Sequence, residues 1–115
     1  MGSSDNGDHP IPDGTLGGYL EEHDRPPAFT GPDGQPYTVA VDSETTGKAD
    51  PPFAAYLIFL RWAPDGAAVV GHLTSPDLAH GATAEQACAR VLRLSLHEVK
   101  AALDQAVERR IAETG

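Results

Sequence analysis

The stretch Phe53-Ala54-Ala55-Tyr56-Leu57-Ile58-Phe59-Leu60-Arg61-Trp62 decides the fold of this chain. One set of alternate positions holds Phe53, Ala55, Leu57 and Phe59; the other holds Ala54, Tyr56, Ile58, Leu60 and Trp62. Successive side chains of a strand point to opposite faces, so this strand is apolar on both. Such a strand is expected at the centre of a sheet, covered on both sides. Its apolar run, Phe53 to Leu60, is eight residues long, far short of the roughly 20 that span a bilayer as a helix.

Working outward, Pro64-Asp65-Gly66 supplies turn chemistry: Pro presets φ, Asp bonds its own backbone, and Gly accepts positive φ. The loop 63–66 is short enough to fold Ala67–Thr74 back as an antiparallel hairpin strand. Upstream, Tyr37, Val39 and Val41 alternate with Thr38, Ala40 and Asp42, which predicts a half-buried strand from Tyr37 to Thr45. The residues 46–52 between the two strands read as a loop. Pro-Asp-Gly recurs at Pro12-Asp13-Gly14 and Pro32-Asp33-Gly34, but with unequal spacing and unrelated flanks. These are three turns and not a repeat. After Ser75-Pro76-Asp77, residues 78–80 are expected to form a brief edge strand.

The remainder reads as helix. Thr83 with Gln86 and Ser95 with Glu98 are two capping boxes. Ala84, Ala87, Cys88, Val91 and Leu92 form one apolar face; Leu96, Val99, Leu103, Ala106 and Ile111 form another. Arg109 and Arg110 are expected in the last turn, where cations complement the helix dipole. Near the N-terminus Leu16, Tyr19 and Leu20 have helical spacing with Thr15 as cap, although Gly17-Gly18 opposes a helix. The expected fold is α+β: an antiparallel three- to four-stranded meander, two C-terminal helices packed on one face, and an extended N-terminal arm. Residues 1–14 are expected to be a disordered tail, 15–36 an extension with a short helix and hairpin, and 37–115 a single domain. The second sheet face then needs a cover, either the segment Leu16–Phe29 or a second copy of the chain.

Acidic residues outnumber basic ones 17 to 8, for a net charge of −9. The first 36 residues contribute seven acids against Arg25 alone, with seven of the 12 glycines and six of the ten prolines. Such a segment buries too little apolar area to offset its chain entropy. Affinity for nucleic acid comes mainly from Lys and Arg on phosphates, so a nucleic-acid partner is not expected, nor an anionic membrane surface. Cys88 is the only cysteine, which excludes an intrachain disulfide and a cysteine-rich zinc site. The N-terminus shows no signal-peptide pattern, and the expected location is the cytoplasm.

Within this framework, residues from about Tyr56 to Leu103 resemble the HicB-type antitoxin domain, a β-β-β-α module related to a partial RNase H fold. The resemblance rests on a strand, Asp65-Gly66, a second strand, a Pro-containing loop, and then Gly81-Ala82-Thr83-Ala84-Glu85-Gln86-Ala87. Gly81, Thr83, Glu85 and Ala87 match the family's Gly-x-Thr-x-Glu-x-Ala junction. The family's DNA-binding appendage has no counterpart after the second helix, so the resemblance implies a protein partner and not an operator.

Few residues invite a chemical role. His72 and His80 could meet across adjacent strands with Asp77 nearby, yet no histidine pair has the i, i+4 or i, i+2 spacing of a metal site. Cys88 with His80 suggests a thiol nucleophile, but Cys88 lies on an apolar helix face, where a free cysteine behaves as a small hydrophobe. Trp62, beside Arg61 at the end of a core strand, belongs to the residue types enriched in interface hot spots; packing on the N-terminal segment is the alternative. The leading expectation is a non-enzymatic protein-interaction module without a cofactor, self-associating or meeting another protein through Tyr56, Ile58, Leu60 and Trp62. The alternative is a small-molecule-binding or hydrolytic domain with a pocket between sheet and helix near His72, His80 and Cys88.

Overall fold

The computed structural model describes residues 14–114; the tail expected over 1–14 lies, apart from Gly14, outside the described residues. The elements are α1 (Leu16–His23), β1 (Ala28–Thr30), β2 (Pro36–Thr45), β3 (Phe53–Trp62), β4 (Val69–Thr74), β5 (Ala79–Gly81), α2 (Ala84–Leu92) and α3 (Leu96–Thr114). The fold is α+β. All strand pairs are antiparallel, in the order β1-β2-β3-β4, with β5 also paired to β3. Among the described residues no helix is long and apolar enough to cross a membrane.

Strand β3 is central, as its composition requires. Tyr37 to Thr45 pair along its whole length, from Arg61 to Phe53. On its other side β4 pairs with Ile58 to Trp62 and β5 with Phe53 to Ala55, so β4 and β5 form one interrupted strand. Pro76 has no N–H to continue the ladder, and the gap is bridged by Ser75. Its N–H donates to the Leu57 carbonyl at 2.9 Å, while its Oγ accepts the Leu57 N–H at 2.9 Å and donates to the Pro76 carbonyl at 2.7 Å. The Ser75 hydroxyl stands in for a missing backbone acceptor at the centre of the sheet.

The core lies between one sheet face and the helices. Tyr37, Val39, Ala55, Leu57 and Phe59 meet Ala87, Val91, Val99, Leu103, Ala106 and Val107, all buried. The Ser95–Glu98 capping box forms in full and the Thr83–Gln86 box in its first half. Thr83 Oγ1 accepts the Gln86 N–H and Ser95 Oγ the Glu98 N–H, each at 3.0 Å, and Glu98 Oε1 accepts the Ser95 N–H in return. Gln86 instead reaches back one residue further, accepting from the Ala82 N–H at 2.6 Å. The expected stripe of α3 needs one correction: Val107 is buried, whereas Ile111 is 54% exposed. Five residues separate Ala106 from Ile111, which leaves the helical period. The helix also continues to Thr114, so Arg109 and Arg110 precede the last turn, which holds no base, and the dipole-cap reading of this pair fails.

Helix α1 forms despite Gly17-Gly18. Thr15 Oγ1 caps Gly18 N–H at 3.1 Å, and Asp24 closes the helix in the left-handed region at φ 52°. Tertiary contacts outweigh the propensity cost. Leu16 is fully buried in the common core, and its N–H donates to Leu94 O at 2.9 Å while Leu96 N–H donates to Gly14 O at 2.9 Å. These bonds clip the start of α1 to the junction of α2 and α3, on the helical side of the sheet. The segment from Leu16 therefore does not cover the second face; its only addition to the sheet is β1, at the edge. The expectation that β3 is covered on both sides holds for one side only among the described residues.

Candidate functional site

The second sheet face is built from successive cross-strand rows. Glu44, Ala54 and His80 form one row; Asp42 and Tyr56 the next; then Ala40, Ile58 and Thr74; then Thr38, Leu60 and His72, with Trp62 last. Period-2 alternation thus gathers Tyr56, Ile58, Leu60 and Trp62 into a continuous stripe, each residue half-buried. The indole Nε1 of Trp62 donates to Thr38 Oγ1 at 2.9 Å. The bond ties the indole to the neighbouring strand of the sheet.

Charge on this face is polar in the directional sense. Asp42, Glu44 and Asp77 surround the Tyr56 end, and the Trp62 end carries no carboxylate in its rows. Hydrogen bonding of its protonated form to Asp77, and then the charge of Asp77, push the Glu44 carboxyl above its ordinary range. Desolvation, reinforced by those three carboxylates, pushes the Tyr56 phenol up as well. The tyrosine is neutral under ordinary conditions and presents a hydroxyl at the acidic end.

The structure does not bring His72, His80 and Cys88 together. His72 pairs with Leu60 and His80 with Ala54, six residues apart along β3, or about 20 Å at the strand rise. Both histidines sit in rows of the second face. Cys88 lies across the sheet on α2, half-buried against the core. Among the described residues no group of three or more His, Cys, Asp or Glu is placed to hold a metal.

A different cleft, of about 260 Å³, opens between the sheet and the end of α3, walled by Tyr37, Arg61, Gly71, Leu73, Arg110 and Ile111. Tyr37 and Arg61 are direct cross-strand partners, as are Arg61 and Gly71. The guanidinium of Arg61 lies across β4, with Nη2 3.3 Å from where a side chain at Gly71 would begin. A Cβ there would press on the guanidinium, which would have to give by a few tenths of an ångström. Tyr37 donates its hydroxyl to Asp33 Oδ2 at 2.8 Å. Burial above all, then the bond to Asp33 and its charge, push the Tyr37 phenol to about 12 against the opposing pull of Arg61 and Arg110. The sequence contained a signal for this cleft: Arg110 lies seven residues after Leu103, in phase with it on α3 but beyond the buried part of the stripe, and Arg61 falls in the inward set of β3. The Tyr37–Arg61–Gly71 row itself required the strand register.

Compared with protein-family models, curated proteins and solved structures, the chain finds no match.

Proposed function

We propose that the chain is a non-enzymatic interaction module that self-associates through its second sheet face. The observation that supports this reading is the stripe Tyr56, Ile58, Leu60 and Trp62, apolar and half-exposed, with no described element across it. Strands β2 and β3, of ten residues each, are about 33 Å long, and with the interrupted β4–β5 strand they span roughly 14 Å, so the face offers on the order of 500 Å². Two such faces bury roughly 1,000 Å², in the size range of weak or transient interfaces. The acidic end at Asp42, Glu44 and Asp77 sets the orientation. A two-fold pairing with strands running in opposite directions lays each acidic end against the partner's Trp62 end and avoids like-charge contact. The HicB-type resemblance points the same way, to action through protein contact.

Size-exclusion chromatography with light scattering, at tens of micromolar, tests the reading. The expected mass is twice the 12.1 kDa of the chain, and Leu60→Glu is expected to return it to a single chain with folding retained. A monomeric wild type at that concentration overturns the proposal.

A further inference from the structure

The cleft at the end of α3 lies on the opposite side of the sheet from the proposed interface and has a chemistry of its own. Among the described residues, neither Arg61 nor Arg110 has a carboxylate within 4.0 Å; the ion pairs there are His23 with Glu22 and Lys100 with Asp104. Asp33, the carboxylate at the cleft, is already engaged: Oδ2 accepts the Tyr37 hydroxyl and Oδ1 accepts the Gln35 N–H at 3.1 Å. Two guanidinium groups against one carboxylate leave a positive site in a chain of net charge −9. Arg110 is exposed, but Arg61 is half-buried, and a guanidinium partly withdrawn from water without a counterion carries an uncompensated desolvation cost. Its planar fork of donors matches a carboxylate or phosphate in bidentate geometry.

We propose that this cleft binds a small oxyanion, a carboxylate or phosphate group carrying a short apolar substituent. The head group sits between Arg61 and Arg110, and the substituent lies against Leu73, Val107 and Ile111, which line the same space. A volume of about 260 Å³ falls just below the range of drug-sized pockets and suits a metabolite-sized anion. Gly71 is a positioning residue, since a Cβ there presses on the Arg61 guanidinium and displaces it by a few tenths of an ångström. Polymeric anions are disfavoured by the overall negative charge.

The test is titration of the full chain with phenyl phosphate, benzoate, inorganic phosphate and benzyl alcohol, followed by NMR at the arginine Nε–Hε resonances. Saturable shifts at Arg61 and Arg110 are expected with phenyl phosphate or benzoate, and whichever binds more tightly identifies the head group. Benzyl alcohol is expected to shift neither arginine. Arg110→Gln, on an exposed part of the helix, is expected to weaken binding about tenfold. Gly71→Ala is expected to weaken it without changing the Arg110 side chain. Absence of saturable shifts with both organic anions overturns the proposal, as does undiminished affinity in both variants. Inorganic phosphate binding as tightly as phenyl phosphate overturns the role assigned to the apolar wall.

Discussion

Replacing Ser75 with Ala removes one oxygen atom from the middle of the sheet. Leu57 is fully buried and Ser75 only 7% exposed. The Leu57 N–H has Ser75 Oγ as its acceptor at 2.9 Å, and the interrupted strand offers no backbone carbonyl in its place. Water cannot replace it at a fully buried strand position. A buried donor left without a partner costs about 1–3 kcal/mol. The Pro76 carbonyl also loses the hydroxyl, but Pro76 is exposed and solvent takes over that bond. The expected destabilisation is therefore about 2 kcal/mol, or roughly a 10 °C drop in Tm for a domain of this size. Urea unfolding measures it as a lower midpoint at unchanged slope, and hydrogen exchange reads the Leu57 amide directly. A loss below about 0.5 kcal/mol, the scale of an ordinary surface change, together with unchanged Leu57 protection, refutes the bridging role.

Gly81→Ala is expected to cost about 1–3 kcal/mol, because its Cβ meets the Ala87 backbone nitrogen at 2.8 Å and α2 must shift to admit it; a midpoint equal to wild type shows that β5 and α2 are not in close contact. Tyr37 titrates near 12 in the folded chain against about 10 when unfolded. Its contribution to stability is complete below pH about 10 and is lost as pH rises toward about 12, since the unfolded state there binds fewer protons. Ultraviolet titration of tyrosinate should show a step near 12 that Tyr37→Phe removes, while the raised Tyr56 step persists, and a Tyr37 step at the ordinary value contradicts the buried hydrogen-bonded geometry.

Elements whose signal is local were legible in the chain. The β3 bounds follow from ten residues of β-prone sequence closed by a loop and a Pro-Asp-Gly turn, and both C-terminal helices start at the capping residues that the spacing indicates. Helix α1 was less legible, because Gly17-Gly18 lowers its intrinsic stability and the contacts that rescue it come from Leu94 and Leu96. The stripe Tyr56, Ile58, Leu60 and Trp62 was legible because alternation alone places these residues on one face. The grouping of His72, His80 and Cys88 was not tenable, since nearness in sequence says nothing of which row or which side of the sheet a residue occupies.

By itself, the sequence determined the α+β class, the central strand, the turns and the helix starts, because each depends on periodicity and on backbone preferences within a few residues. Only the tertiary structure decided which face of β3 the helices cover, that α1 joins that same side, and that Arg61, Gly71, Tyr37 and Arg110 share one cleft. Those outcomes depend on strand register and on contacts between residues as distant as Leu16 and Leu94. The energy that selects them is the burial of one shared core, and no single segment carries it.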